Sequence, residues 1–295
     1  AGSRFAYGRD LELSDVVVPH TYMLVRIDGT GFQGRLDALT QDFHSERVLE
    51  ANDAQALELM NEAARQVMHA FKGHVTLAFG ESDETGMLLV LTQFLIDKYS
   101  TLYNRRQSKL VTHIVSLFTS AYVFHWGQYM SVPLEEPPSF DGRLIVYPGT
   151  QEIRDYFAWR QADTHINNLY NTVFWALVLQ GQKTEREAHD LLKGTVSSEK
   201  HEILFQHFGI NYDKLPAFFR KGTTLVWASV PDPRRTKPRT KLCTLHVDII
   251  GDAFWHAPTG KTLPGIEGVT STCFYEHPER LCGVGLGHAV LTTKP

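Results

Sequence analysis

The chain has little cysteine and lacks long hydrophobic runs, and both features argue against whole classes of protein. Its 295 residues include three cysteines, Cys243, Cys273 and Cys282, with no CxxC spacing. That usage is typical of a reducing compartment and argues against a disulfide scaffold or a zinc ribbon. No apolar run approaches the roughly 18 to 20 residues of a membrane helix, and the N-terminus is too polar for a signal peptide. We therefore expect an intracellular protein of the cytoplasm or nucleus.

An excess of basic residues is also missing. The 29 lysines and arginines are outnumbered by 33 aspartates and glutamates, so no global field attracts nucleic acid and any such binding requires local patches. Two basic stretches qualify, "NRRQSK" at 104–109 and "PRRTKPRTK" at 233–241. The first is predicted to begin a long helix over about 98–126, which brings Arg105, Arg106 and Lys109 to one helix end. A solvated helix start and a phosphate clamp are both open interpretations of this stretch.

The order of the predicted elements indicates an α+β fold. The first half reads β-α-β-β-α-β, the ferredoxin-like split motif. From about residue 150 the pattern is largely helical, with a small β element formed by candidate strands at 223–230 and 243–250. We expect a first domain at 4–148, a helical part packed on it at 149–257, and a divergent, partly disordered tail at 258–295.

Three carboxylates stand within four residues between two strand-like runs: Glu81, Asp83 and Glu84. In the split motif the first and second strands run parallel, so both end at the same edge of the sheet. Asp28 ends the first strand there, and crowded carboxylates require a cation. Carboxylate oxygens, together with nucleotide phosphates, are ligands that Mg²⁺ prefers, and two such ions activate phosphoryl transfer. The alternative for Asp83 and Glu84 is a solvated hairpin turn; Glu81 is the weakest of the three, since it can point to solvent.

The stretch "RIDGTGFQG" at 26–34 contains the GxGxxG pattern of dinucleotide-binding domains. The nicotinamide interpretation is disfavoured, because the next strands form a tight hairpin, which a parallel crossover forbids. We prefer Asp28 as a metal ligand, with Gly29 to Gln33 as a tight loop beside a triphosphate. Other signatures of hydrolases and P-loop enzymes, such as HExxH, GxSxG and the Walker loop, are missing from the sequence.

A second unusual stretch is "HINNLYNT" at 165–172, which places His165, Asn168 and Asn171 among apolar helix residues. A lone histidine in such a helix is usually a hydrogen-bonded core residue. Several polar positions in one short stretch favour a binding surface, where asparagine hydrogen-bonds to bases or sugars and Tyr170 stacks.

Several longer motifs resemble one known family. In chain order they are "RIDGTGF", "GESDE", "YVFHW", "WRQADTHINNLYNTVFWAL", "RKGTTLVW" and "HVDIIGDAFW". Together they are similar to the tRNA-histidine guanylyltransferases, from about Arg4 to Trp255. The resemblance implies a nucleotidyltransferase that works in the 3′-to-5′ direction. It also implies that the first domain, at 4–148, is a catalytic palm of the polymerase and cyclase kind and that the helical part is fingers-like. ATP first adenylylates the tRNA 5′-monophosphate, the 3′-hydroxyl of GTP then displaces AMP, and pyrophosphate is removed.

The resemblance also implies roles for individual residues and for partners. The partners are tRNA-His, GTP, ATP and two Mg²⁺ ions, in a homotetramer built as a dimer of dimers or in a hetero-oligomer with a paralogue. The catalytic and metal positions match Asp28, Asp83 and Glu84, with the backbone of Gly29. The implied nucleotide-binding residues are Arg26, Asp28, Gly29, Thr30, Gly31, Phe32, Gln33, Ser82, Asp83, Arg106, Lys109 and Arg143. The implied tRNA-binding residues are His165, Lys200 and Asn211, to which the polar helix adds Asn168.

The chain departs from the family pattern around the triphosphate. Thr30 stands in place of an arginine, Gln33 of a histidine, Glu50 of a lysine and Glu81 of a glutamine, while His201 replaces an asparagine. Fewer cations and more acids weaken phosphate binding, by about one to a few kcal/mol for a charge reversal. The alternative function is therefore a catalytically weakened, tRNA-binding paralogue that serves as a subunit of a hetero-oligomer.

Overall fold

The computed structural model describes residues 4, 11–30, 54–82, 90–230, 239–256, 283 and 285–292. Within them, six strands form one sheet in the order β4-β1-β3-β2-β5-β6, with every neighbouring pair antiparallel. The strands are β1 (Tyr22–Thr30), β2 (Val75–Ser82), β3 (Val90–Ile96), β4 (Ser139–Tyr147), β5 (Thr223–Val230) and β6 (Arg239–Leu245).

The α-helices within the described ranges separate and follow these strands. They are α1 (Ala54–Ala70), α2 (Gln107–Tyr129), α3 (Thr150–Trp175), α4 (Glu185–Leu192), α5 (Ser197–Phe208), α6 (Ala217–Lys221), α7 (Asp252–Trp255) and α8 (Leu286–Thr292). A π-helical turn, Ala176–Gln180, extends α3. None of the helices in the described ranges is both long and apolar enough to cross a bilayer.

The predicted βαββαβ order is confirmed by β1, α1, β2, β3, α2 and β4. β3 lies between β1 and β2 and is antiparallel to both, so β1 and β2 run parallel, as predicted. The predicted small β element is β5 and β6, and it joins the same sheet because β5 pairs with β2. The sheet is therefore continuous across the expected boundary near residue 148.

The two faces of the sheet pack against different helices because side chains alternate along each strand. On one face, Ile27 and Phe94 are buried beneath Met68 of α1 and Ile114 of α2. On the other, Leu24 and Phe79 pack against Phe157 of α3. Gly142 of β4 allows α2 to pack closely, because a Cβ there would overlap Val115.

Two predicted boundaries are wrong. The long helix begins at Gln107 instead of about 98, because Tyr103, Asn104 and Arg105 adopt left-handed backbone conformations that end a short 3-10 turn. Arg105 is thereby buried and does not share the helix end with Arg106 and Lys109. The last strand is Arg239–Leu245 instead of 243–250, because Gln161 of α3 hydrogen-bonds to the backbone of Val247 and Ile249 and draws the chain off the sheet.

The helical part has a hydrophobic cluster of its own. Leu169 and Val173 of α3 pack there with Leu204 of α5 and Tyr212. Of the predicted tail at 258–295, residues 258–282, 284 and 293–295 lie outside the described residues. Near the end of the chain, Val290 of α8 is buried in the same cluster as Leu24 and Phe157, so this part of the tail packs against the sheet domain.

Candidate active site

Two arginine–aspartate pairs lie side by side at one end of the sheet. On β1, Arg26 Nη2 donates to Asp28 Oδ2 at 2.9 Å; on β4, Arg143 Nε donates to Asp141 Oδ2 at 2.7 Å. The register places Arg26 opposite Arg143 and Asp28 opposite Asp141, so all four side chains share one face. Asp141 raises the pKa of Arg143, and Asp28 adds to this effect.

Asp141 is a residue that the sequence interpretation missed. The complementary spacing of "RID" on β1 and "DGR" on β4 was the available signal. Like charges directly opposite each other destabilise a sheet, and here each is neutralised in part by an arginine of its own strand. The arrangement concentrates carboxylate oxygens, which can ligate a metal ion, near the end of β1.

The end of β2 lies at the same edge of the sheet. Ile27 of β1 and Gly80 of β2 both pair with Thr92 of β3, so the two parallel strands reach the same level on either side of β3. Strands two positions apart are separated by about 10 Å. Asp83 follows directly after Ser82 but lies outside the described residues, as do Glu84, Gly31, Phe32 and Gln33; only the backbone of Thr30 and Ser82 is described.

The prediction that Glu81 lies in the turn is wrong, and its side chain does not take the solvent-facing direction that the sequence left open. Glu81 lies within β2 opposite Leu91, and 3% of its surface is exposed. Three donors reach its carboxylate: Thr164 Oγ1 at 2.7 Å, Arg160 Nη1 at 3.1 Å and Gln93 Nε2 at 3.3 Å. Burial raises the pKa of the Glu81 carboxyl to about 7, against the lowering effects of Arg160 and Thr164.

The predicted triphosphate-binding cations do not all lie together. Arg106 pairs through its backbone with Val16, which precedes β1, whereas Asp28 is near the end of that strand. A strand rises by about 3.3 Å per residue, so Tyr22 at the beginning of β1 is already about 20 Å from Asp28. Of the four predicted cations, Arg26 and Arg143 are therefore beside Asp28, while Arg106 and Lys109 belong to the opposite edge of the sheet.

Arg106 is also engaged by acidic residues that precede β1. Its Nε is 3.0 Å from Asp15 Oδ1, and its Nη2 is 3.2 Å from Glu12 Oε2. The Asp15 carboxylate also accepts the backbone N–H of Ser108 at 2.8 Å, in the first turn of α2. Hydrogen bonds from Ser108 and Arg106 lower the pKa of Asp15 to about 2. In this chain, Arg106 helps to anchor the beginning of α2.

The predicted tRNA-binding residues gather around Tyr212. The Tyr212 ring is 5.3 Å from His165 and 5.2 Å from His201, measured between ring centroids. Tyr212 Oη donates to Asn168 Oδ1 at 3.0 Å. Asn211 caps the next turn by accepting the N–H of Asp213 at 3.0 Å. Tyr212 and Asn168 are buried in this region, whereas His201 is partly exposed. The sequence interpretation assigned a role to neither Tyr212 nor His201.

Lys200 lies on the neighbouring helix, α5. Its Nζ donates to the carbonyl of Thr195 at 2.7 Å and lies 5.9 Å from the centroid of the Tyr170 ring. Burial, with His201 next to it, lowers the pKa of His165. The helical part thus presents aromatic rings, amides and one lysine within a small region, which suits contact with unstacked bases and a phosphate backbone.

The oxygen donors at the sheet edge suit a hard divalent cation. Asp28, the backbone of Gly29 and Asp141 offer oxygen ligands of the kind that Mg²⁺ prefers. Within the ranges that the structure describes, no group of three or more His, Cys, Asp or Glu side chains is arranged to hold a metal. The remaining predicted ligand, Asp83, lies outside those ranges, as does the predicted catalytic residue Glu84, so the predicted metal site is described in part.

Comparison with known proteins decides the family. A family model described as tRNAHis guanylyltransferase matches residues 5–148, and a model of the Thg1 C terminal domain matches residues 151–251. The tRNA(His) guanylyltransferase of Schizosaccharomyces pombe is 45% identical over 86% of this chain and 95% of its own. The chain belongs to the tRNA(His) guanylyltransferase family. A probable member from Bos taurus is 43% identical over 86% of both chains.

Solved structures agree with this membership. The crystal structure of the tRNA(His) guanylyltransferase from Saccharomyces cerevisiae is 37% identical, has a TM-score of 0.64, and the match covers 81% of this chain and 96% of that one. A bacterial Thg1-like protein in complex with ATP, at 19% identity and a TM-score of 0.57, supports the fold alone; the match covers 81% of this chain and 88% of the other. The resemblance expected from the sequence motifs and the α+β palm fold are both confirmed.

Proposed function

We propose that this member of the tRNA(His) guanylyltransferase family adds a guanylate to the 5′ end of tRNA-His. The observation that carries the proposal is the family match over both the palm and the C-terminal part, on a sheet that brings Asp28 and the end of β2 to one edge. An oxygen of the tRNA 5′-phosphate attacks the α-phosphorus of ATP, and pyrophosphate leaves. The 3′-hydroxyl of GTP then attacks the activated 5′-phosphorus, and AMP leaves. Hydrolysis finally removes pyrophosphate from the new 5′ end.

The residues at the sheet edge have separate roles in this proposal. Asp28, Gly29 and Asp83 hold Mg²⁺, which neutralises phosphate charge and lowers the pKa of an attacking hydroxyl when bound. Glu84, the next residue after Asp83 in the sequence, is the third catalytic carboxylate of the proposal, and Asp141 adds negative charge opposite Asp28. Arg26 and Arg143, on the same face as Asp28, bind phosphate oxygens. Thr30 at the end of β1, Gly31 to Gln33 after it, and Ser82 at the end of β2 bind the nucleotide in this proposal.

The helical part provides the tRNA contacts. His165, Asn168, Asn211 and Lys200 lie on one region of α3, α5 and the Tyr212 turn. We place Arg106 and Lys109 in triphosphate binding only where a second copy of the chain brings them to a nucleotide, as the proposed homotetramer allows. Their position at the opposite edge from Asp28 supports that restriction.

The test is a direct assay of guanylate addition. The protein is incubated with 5′-monophosphorylated tRNA-His, ATP, Mg²⁺ and labelled GTP, and the extended tRNA is detected on a gel. We expect one labelled product with the wild type and none with Asp83→Ala, while Asp83→Ala binds tRNA-His as the wild type does. Binding of tRNA by the wild type without any product would instead favour the catalytically weakened paralogue. Equal loss of binding and activity in Asp83→Ala would contradict the metal-ligand role.

A further inference from the structure

The buried carboxylate of Glu81 joins the last part of β2 to helix α3. Its side chain points to the sheet face that α3 covers, as does that of Phe79 two residues earlier. Two of its three donors, Arg160 and Thr164, lie one turn apart on α3, and the third, Gln93, lies on β3. The carboxylate therefore contacts both the neighbouring strand β3 and the helix α3, at the point where β2 reaches the candidate active site.

These contacts hold the carboxylate in one place. A buried charge is unfavourable unless it is paired and hydrogen-bonded, and Glu81, Arg160 and Gln93 are all buried. Arg160 is itself restrained, because it also pairs with Asp163 and stacks on the ring of Trp159 at 3.7 Å from the ring centroid. With both partners immobilised, β2 and α3 have little freedom to move relative to each other at this point.

The same helix leads directly to the tRNA-binding residues. His165 follows Thr164, and Asn168 lies one turn further along the helix. Glu81, Thr164 and Asn168 line a common cavity of about 20 Å³ between α3 and the sheet. On the other side, Asp83 follows Glu81 by two residues. The Glu81–Arg160–Thr164 network is thus a buried contact between the two functional regions.

We propose that Glu81 is a positioning residue: through Arg160 and Thr164 it sets the end of β2, and with it Asp83, against the tRNA-binding helix. The inference rests on the proposed function, in which Asp83 is a metal ligand. Glu81 touches no substrate in this proposal and acts only through the backbone that follows it. A displacement of a catalytic group by about 1 Å can reduce the rate by about a hundredfold, so a small shift of β2 is measurable.

The chain offers a matched pair of variants for the test. Thr164 and Thr172 lie on one stripe of α3, both are buried, and both hydroxyls are within hydrogen-bond distance of the carbonyl four residues earlier. Only Thr164 also reaches Glu81. Thr164→Val and Thr172→Val therefore remove the same group from the same helix, and the two differ in the contact to Glu81.

Three measurements are made on Glu81→Ala, Glu81→Gln and the two threonine variants. The first is a Mg²⁺ titration of guanylate addition, which gives kcat and the Mg²⁺ concentration at half-maximal rate. The second is the Kd for tRNA-His, and the third is the rate of hydrogen exchange of the backbone amides of β2. We expect Glu81→Ala to lower kcat roughly tenfold or more, to raise the Mg²⁺ requirement and to speed exchange at the end of β2. Thr164→Val changes kcat, the Mg²⁺ requirement and the exchange rate in the same direction but less, Thr172→Val changes none of them, and the Kd for tRNA-His stays within about twofold for every variant.

The conservative variant separates positioning from charge. In Glu81→Gln the amide oxygen still accepts from Arg160 and Gln93, and the amide nitrogen donates to the Thr164 hydroxyl, which turns to the Arg160 carbonyl 2.9 Å away. We expect Glu81→Gln to keep wild-type exchange at β2 and a kcat within about threefold of the wild type.

The inference is overturned if Thr164→Val behaves as Thr172→Val does, or if Glu81→Ala loses activity only in proportion to its unfolded fraction, with the Mg²⁺ requirement unchanged. Failure of the proposed function is a different result. In that case the wild type makes no product. The exchange rate of the β2 amides in the Glu81 variants still shows whether Glu81 holds the end of β2 in position.

Discussion

Asp28 of β1 and Asp141 of β4 lie directly opposite each other in the sheet, each paired with an arginine two residues away on its own strand. Opposed residues of an antiparallel pair have Cβ atoms about 5 Å apart. Two like charges at that separation need neutralisation, which the arginines supply in part. A divalent cation bound by Asp28 would therefore also be attracted by Asp141.

The first prediction concerns that attraction. Asp141→Asn keeps the shape of the side chain and removes its charge, so guanylate addition should need roughly three to ten times more Mg²⁺ for half-maximal rate, an effect of about 1 kcal/mol after allowance for solvent exposure. The measurement is a Mg²⁺ titration of the rate at saturating GTP and tRNA. Asp190→Asn, an exposed position on α4, is the control. An unchanged titration for Asp141→Asn would remove Asp141 from the site.

The second prediction concerns tRNA binding by Lys200. Lys200→Ala removes one cation from the region of His165 and Asn211, so Kd for tRNA-His should rise about three- to tenfold at moderate salt. The slope of log Kd against log salt should fall by about one. Lys72→Ala, which removes an exposed cation that lies over Trp227, should alter neither value. A dissociation constant equal to that of the wild type would contradict the role of Lys200.

The third prediction concerns stability. The buried guanidinium of Arg105 donates to the backbone carbonyls of Val17, Val18, Thr21, Lys98 and Ser100. Arg105→Met leaves these acceptors unsatisfied in the interior, and the free energy of unfolding should fall by about 3 kcal/mol or more. Urea unfolding measures the change, with the exposed Arg186→Ala on α4 as control. Equal stability of the two variants would show that water replaces the guanidinium at no cost.

The fourth prediction concerns pH. Burial, with His201, Lys221 and Arg220 nearby, lowers the pKa of His165 from 6.5. The unfolded chain therefore takes up a proton at higher pH than the folded protein does. The contribution of His165 to stability is present above about pH 6.5, is lost as the pH falls below that value, and becomes constant below the folded pKa.

The comparison that checks it uses two histidine variants. Urea unfolding at several pH values between about 5 and 7.5 should give a smaller loss of stability at low pH for His165→Gln than for the wild type. His207→Gln, an exposed position at the end of α5, should follow the wild-type curve. If His165→Gln and the wild type lose stability in parallel, His165 is protonated equally in both states.

Much of this protein follows from local sequence patterns. Alternating and helical periodicities predicted the βαββαβ order, and with it the parallel relation of β1 and β2. Asp28 was predicted to end the first strand, whereas β1 continues to Thr30. Those features depend on the side-chain pattern of short stretches such as "TYMLVRID" at 21–28, and on general rules for how consecutive strands and helices connect in a sheet. The long motifs around "HINNLYNTVFWAL" and "DIIGDAFW" predicted the family, which the comparisons confirmed.

Other features were decided only by the tertiary structure. Asp141 faces Asp28 because of the β1–β4 register, and Arg106 lies at the far edge of the sheet, where its backbone pairs with Val16, which precedes β1. Glu81 became a buried ion-pair partner because α3, nearly eighty residues later, places Arg160 above it. Periodicity reports which face of an element is apolar, whereas a charge is buried or exposed according to what a distant segment places against it.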